Sequence, residues 1–273
     1  LKRYGVECVP APSCASRRVS YFASSHEKVI VIDDEWTIIQ SGNYSHNSIP
    51  MNEQDGVATE GFRRVNRDTG IAIQSKPMAR FFSRILRSDM NLELNGIAPE
   101  FTEPELDEFE LLIEGPSAIP DPLFPSKTFQ PDAKITVQPV LTPDNYMEEI
   151  PKLLGTAQTT VRIEQQYIRI NQPGIKKLLA AIPSGIDVQI IVAKPMSTGA
   201  RFAKEMGEIK ALEDEYGFSV RILSKEHFVH CHNKLIVIDD NAVLVSSQNW
   251  SDSAVLKNRE AGIVIYDAEI TEY

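Results

Sequence analysis

The stretch His232-Asn-Lys234-Leu-Ile-Val-Ile-Asp239, followed by Ser247-Gln-Asn249, occurs a second time in this chain. Its other copy is His26-Glu-Lys28-Val-Ile-Val-Ile-Asp33, followed by Ser41-Gly-Asn43. The matched His, Lys, Asp, Ser and Asn residues are all displaced by the same 206 positions (232 − 26, 249 − 43), which chance does not produce. Any fold for this chain must therefore place the same short unit twice. In an extended strand residues i and i+2 share a face, so His26 points with Lys28 and His232 with Lys234, and each pair can grip one ligand. The runs Val29–Ile32 and Leu235–Ile238 are continuously apolar and mostly β-branched, as a strand buried on both faces requires. Asp33-Asp34-Glu35 and Asp239-Asp240-Asn241 supply turn chemistry, and Trp36–Gln40 and Ala242–Val245 read as return strands. Ser41, Asn43, Ser247 and Asn249 then come back beside the His/Lys ends.

Around the second copy, strands at Ile135–Val140, Thr160–Gln165, Asp187–Ala193 and Phe218–Leu223 alternate with helices at Asn145–Ala157, Gly174–Ala181 and Arg201–Tyr216. That alternation predicts a largely parallel sheet covered by helices on both faces. The first copy has less around it. Tyr4–Val9 matches Tyr216–Arg221, so counterparts of Ile135–Glu215 are missing. Gly70-Ile71-Ala72-Ile73 matches Gly262-Ile263-Val264-Ile265 and continues into an amphipathic helix, Pro77–Met90, whereas Tyr273 ends the chain where the equivalent helix would begin. Both ends read as cut from a longer protein.

The net charge of −10 is local. Ser88 to Ser126 holds ten Asp or Glu and no Lys or Arg, so the remainder is neutral, 28 against 28. Seven prolines between Pro99 and Pro131 make this stretch an acidic connector with room for a short helix at Pro104–Ile113. The expected organisation is residues 1–90 as the C-terminal part of a first repeat, 91–134 as connector and 135–273 as a second repeat, cut short at its C-terminus. No apolar run approaches the roughly 20 residues of a membrane span, so peripheral membrane contact or none is expected. Cys8, Cys14 and Cys231 make no disulfide framework, although a Cys8–Cys14 bridge is possible.

Two copies of H-x-K-x-x-x-x-D, each followed by Ser-x-Asn, resemble the phospholipase D superfamily of phosphodiesterases and phosphatidyltransferases. The likeness extends over Ile163–Ile168 and most of the second repeat. Gln40 and Ser246 stand where the family has Gly before the Ser. The resemblance implies an α/β, pseudo-dimeric two-repeat fold. Each repeat is then a mixed, largely parallel sheet flanked by helices, the first incomplete at its N-terminus, with both motifs on the floor of a shared cleft.

The chemistry follows from the residue types. A phosphodiester repels anionic nucleophiles, so its oxygens need cations and donors, which Lys28 and Lys234 with Asn43 and Asn249 supply. One imidazole of His26 and His232 can attack phosphorus while the other protonates the leaving oxygen. The resemblance implies a covalent phosphohistidine resolved by water or an alcohol, with no metal and no cofactor. Glu260, 28 residues after His232, matches the family's acid that holds the imidazole, and Gln54, flanked by Glu53 and Asp55, is the position at equal spacing after His26. A carboxylate on His232 against an amide on His26 favours His232 as nucleophile, whereas the family's usual assignment favours the first histidine; both stay open. Asp33 and Asp239 are read as turn-capping, Tyr44 and Trp250 as packing, and Tyr167 as equally a cleft or a packing residue. His227, His230, Cys231 and His232 crowd together, but Ser24 and Ser25 replace His230 and Cys231 in the first copy, which argues against a metal. The predicted substrate is a phospholipid headgroup diester. A nuclease would need a basic stripe, for which only Arg63, Arg64 and Arg67 offer material, and a non-catalytic scaffold would not need both histidines and both lysines.

Overall fold

The computed structural model describes residues 5–6, 9, 22–45, 47–48, 66–90, 127–130, 134–223, 228 and 230–273. The expected connector helix, Gln54 with its flanking acids, Cys8, Cys14, Arg63, Arg64 and His227 lie outside them. In chain order the strands of the first half are β1 (Val29–Ile32), β2 (Trp36–Gln40), β3 (Asn66–Arg67) and β4 (Gly70–Gln74), followed by helix α1 (Lys76–Asp89). The second half runs β5 (Thr136–Thr142), α2 (Tyr146–Gly155), β6 (Thr160–Gln165), α3 (Pro173–Ala180), β7 (Asp187–Val192), α4 (Gly199–Asp214), β8 (Ser219–Ile222) and β9 (His230–Cys231). It closes with β10 (Lys234–Ile238), β11 (Ala242–Ser246), α5 (Asp252–Leu256), β12 (Glu260–Tyr266) and α6 (Ala268–Glu272). The last helix stands where the sequence suggested the chain would run out.

Each motif makes the same hairpin. Val29 pairs with Ile39 and Ile32 with Trp36, and the second hairpin pairs Leu235 with Val245 and Ile238 with Ala242, every number raised by 206. Asp33, Asp34, Asp239 and Asp240 all have φ between 49° and 55°, so both hairpins close through two left-handed residues, which Asp tolerates better than most side chains and whose twist matches that of the flanking strands. The return strand then pairs antiparallel with a third, β2 with β4 and β11 with β12.

The second half extends its unit into a seven-stranded sheet of order β5-β12-β11-β10-β6-β7-β8. Five of its strands run one way, but only the β6-β7 and β7-β8 ladders are parallel; β5, β10, β11 and β12 join through antiparallel ladders. The mixture of parallel and antiparallel ladders has a direct cause. Two-residue turns at Asp33 and Asp239 reverse the chain locally, and only the helix crossovers α3 and α4 produce parallel neighbours. One face of the sheet buries Val161, Ile163, Ile190, Ile236 and Leu244 under α2, α3 and α4. The other buries Leu141, Val243, Val245, Ile263 and Ile265 against Ile39 and Phe82 of the first half, so the two motif sheets pack face to face. On the outer face of the small sheet Ile30 and Ile32 are more than a third exposed, whereas their counterparts Ile236 and Ile238 are buried. Among the described residues no helix is long and apolar enough to cross a membrane.

The non-glycine residues Gln40 and Ser246 at the ends of β2 and β11 are accommodated across the ladder. Gln40 pairs with Gly70 and Ser246 with Gly262. A methyl group on Gly262 would stand 2.6 Å from the Ser246 Cβ and 3.0 Å from Val140. Gly262→Ala should therefore cost about 1–3 kcal/mol through overpacking, read as a drop in melting temperature. Adding Ser246→Gly should recover part of that loss; an unshifted melt for Gly262→Ala would show that the strands are not so closely packed.

Candidate active site

The two histidines are held by carboxylates from opposite halves. His26 Nδ1 lies 2.7 Å from Glu260 Oε2, and His232 Nδ1 lies 2.8 Å from Asp68 Oδ1. Glu260 thus serves His26 and not His232, which corrects the pairing read from spacing along the chain. The acid that serves His232 is Asp68, which the sequence reading did not single out. A signal for it was present: Gly70 and Gly262 match at a displacement of 192, and at that displacement Glu260 corresponds to Asp68, not Gln54. The first half carries 14 more residues between Asn43 and Gly70 than the second between Asn249 and Gly262 (27 against 13), so a constant spacing of 28 fails there.

Each acid is fixed by the serine of its own motif. Ser41 Oγ donates to Asp68 at 2.9 Å and accepts from Thr69 N, while Ser247 Oγ donates to Glu260 at 2.6 Å and accepts from Ala261 N. Asn258 Nδ2 donates to the second oxygen of Glu260, which is fully buried. Burial alone would raise the Asp68 pKa, but the bonds from His232, Ser48 and Ser41 outweigh it and hold that carboxyl below its ordinary value. A carboxylate only accepts, so Nδ1 of each imidazole carries the proton and Nε2 of the neutral ring keeps its lone pair. Burial, reinforced by the ammonium groups of Lys234 and Lys28 and only partly offset by Asp68, lowers the His232 pKa, which favours that neutral form.

Lys28, just ahead of β1, and Lys234, at the start of β10, are both almost fully shielded from solvent. Each ammonium donates to the carbonyl of its own motif histidine. Burial lowers Lys28 to about 8 and Lys234 to about 7, with Lys28 pressing Lys234 further down and Asp68 and Glu260 acting in the opposite sense on both. Two ammonium groups in so little water form a seat that an anion would relieve. Asn249 is buried, and its Oδ1 has no partner among the described residues, whereas Asn43 is exposed.

The remaining predicted residues divide by position. Asp239 accepts from the backbone N–H groups of Gln158, Thr159 and Thr160, which overcome the opposing effect of burial and hold its pKa at about 2. Asp239 is thus a loop cap at the far end of β10, and Asp33 closes the matching turn. Trp250 belongs to the core and Tyr44 is exposed. Tyr167 lines the cavity that contains His26, Asn249 and Glu260, with Arg169 lying 4.6 Å over its ring. Two further residues weld the halves together. Asn233, fully buried between the second His and Lys, accepts from Thr69 Oγ1 and donates to Glu164. Arg259, next to Glu260, binds Asp89 and Asp144. Among the described residues no group of three or more His, Cys, Asp or Glu could hold a metal ion.

Lys234 should cost stability while it serves the site. Its folded-state pKa lies below that of the unfolded chain, so the penalty is full below about pH 7 and fades as pH rises toward 10.5. Lys234→Met should therefore raise the melting temperature, and by more at about pH 6 than at about pH 9. A destabilised variant, or a gain that grows with pH, would contradict the burial account.

Residues 150–273 match the family model described as "Cardiolipin synthase, PLD-like domain". Among solved structures, the phosphatidylserine synthase of Haemophilus influenzae matches with a TM-score of 0.56 at 16% identity, over 90% of this chain and 58% of its own. Nuc from Salmonella typhimurium, described as a phospholipase D family member, matches with a TM-score of 0.42 at 27% identity over 51% of this chain and 88% of that one. NucT from Helicobacter pylori gives 0.41 at 20% identity, over 51% and 90%. No curated protein sequence matches the chain significantly. The stretch from Ile150 onward is thus similar to a phospholipase D-like domain, and the Haemophilus structure shares its fold with most of the chain.

Proposed function

We propose that this protein is a phosphodiesterase or phosphatidyltransferase of phospholipase D type, acting on a phospholipid headgroup diester through a covalent phosphohistidine. The observation that carries the reading is the crossed pair of acid-held imidazoles, Glu260 on His26 and Asp68 on His232, beside two buried lysines. Both rings present Nε2 with the tautomer fixed, as nucleophilic attack and proton transfer require. Lys28, Lys234 and Asn249 would supply the charge and N–H donors that phosphoryl oxygens need. Electrostatic stabilisation by pre-placed groups is often the largest contribution to such catalysis.

The test is incubation with phosphatidylcholine and phosphatidylglycerol vesicles plus ethanol, in EDTA, with phosphatidylethanol as the product sought. His26→Asn and His232→Asn should each cost at least the about hundred- to ten-thousandfold that general acid–base help contributes. Asp68→Asn should lower turnover although Asp68 touches no substrate, because it fixes the tautomer of His232. Cleavage of DNA in EDTA without any phosphatidylethanol would replace lipid by nucleic acid as substrate, and no turnover of either would point to a binding role for the fold.

A further inference from the structure

Each histidine is gripped by the opposite half at three points, and the two grips match. His26 N donates to the carbonyl of Arg259 at 2.9 Å, while its Nδ1 meets Glu260, the next residue. His232 N donates to the carbonyl of Arg67 at 2.9 Å, while its Nδ1 meets Asp68, again the next residue. The third point is the arginine side chain. The guanidinium of Arg259 lies 5.0 Å from the ring centroid of Phe22, and that of Arg67 lies 5.5 Å from that of Phe228. Both fall inside the about 6 Å over which a cation is drawn to an aromatic face. Phe22 stands four residues before His26 and Phe228 four before His232.

The sequence carries the same device twice. Asn66-Arg67-Asp68-Thr69-Gly70-Ile71 matches Asn258-Arg259-Glu260-Ala261-Gly262-Ile263 at a displacement of 192, and Phe22 matches Phe228 at 206. The acid side and the histidine side are thus offset by different amounts. In space each arginine nevertheless meets the phenylalanine of the opposite half, so the contact is kept in both copies although its partners lie far apart along the chain.

The backbone pairing of these segments is short. Arg259 faces Ser25 in a single parallel bridge, flanked by Arg259 N to Ser24 O at 2.7 Å and Ala23 N to Lys257 O at 2.6 Å. Arg67 faces Cys231 in the two-residue β3-β9 ladder. Side chains alternate between faces along a strand, so a slip of one residue would turn the carboxylate away from the imidazole. Backbone hydrogen bonds alone do not forbid that slip, because each residue offers the same N–H and C=O. A side chain anchored at its tip and seated on one ring does. Arg259 donates to Asp89 at 2.9 Å and pairs with Asp144, and Arg67 Nε lies 3.4 Å from Glu164. We infer that Arg67 and Arg259 are positioning residues, each locking with its phenylalanine the register in which the following acid meets the histidine of the opposite half. The two locks are unequal. The Arg259 side chain is 9% exposed and that of Arg67 27%. His26, at 28% exposed against 8% for His232, has less packing of its own and depends more on its lock.

The locks act on the rings before any substrate binds, so they are tested without turnover and stand whichever diester the protein cleaves. The measurement is nitrogen NMR of labelled histidine in the whole chain at about pH 8, above the ordinary histidine pKa. Arg259→Lys keeps the charge but loses the flat, forked group. It should shift the His26 ring nitrogens toward a mixture of tautomers and leave those of His232 in place. Arg67→Lys should do the reverse, with a smaller shift. Phe22→Leu and Phe228→Leu remove only the rings and leave the arginine ion pairs, so they should reproduce each effect even where an arginine variant does not fold. Phe82→Leu, in the core between the halves, is the control. It should lower the melting temperature without moving either ring. Ring signals unchanged in all four variants, with only the melting temperature lowered, would reduce the arginines to structural welds and overturn the inference. Both rings moving together in any one variant would overturn it too.

Discussion

The site depends on two carboxylate–imidazole bonds that cross between the halves of the chain. Glu260 at the start of β12 reaches His26, and Asp68 just before β4 reaches His232. Neither motif can set the tautomer of its own histidine, so a competent site requires the two sheets to meet in one register. The face-to-face packing of Ile39 with Val243, Val245 and Ile263 therefore has a chemical consequence as well as a stabilising one. Asn233 reaching Thr69, the neighbour of Asp68, and Arg259, the neighbour of Glu260, reaching Asp89 place the polar welds between the halves beside the two acids.

Function opposes stability in the same few residues. Two ammonium groups and the His232 imidazole are buried where an apolar core would be more stable, and the depressed basicity of Lys28 and Lys234 measures that cost. The surrounding sandwich offsets it with β-branched ladders and with serines that satisfy the acids. An anion bound between the lysines would return part of the cost as affinity.

Much of this was legible in the sequence, for physical reasons. The 206-residue displacement fixed both hairpins with their registers, because strand alternation and Asp turns are local properties. Helices α2, α3 and α4 followed from apolar periodicity and stood within two residues of the spans expected. The pairing of acids with histidines was not legible, since it is made in space between halves and is hidden by 14 additional residues ahead of Gly70. The antiparallel pairing of β10 with β11 was legible as a strand and its return, whereas the antiparallel ladders of β10 with β6 and of β12 with β5 join elements far apart along the chain. Short α5 and α6 are too brief for periodicity to show. The cavities beside Tyr167 depend on packing of α4 against the ends of β6 and β7, and among their lining residues the sequence singled out His26, Asn249, Glu260 and Tyr167 as site or cleft candidates but not Arg169 or Arg201.

Imidazole nitrogen NMR of Glu260→Gln and Asp68→Asn tests the crossed arrangement most directly, because it reports the tautomer of each ring without substrate. The crossed pairs predict that Glu260→Gln perturbs the His26 ring and leaves His232 unchanged, and that Asp68→Asn does the reverse. A His232 signal that moves with Glu260, at the spacing of 28 along its own motif, would contradict the account and return each acid to the histidine of its own half.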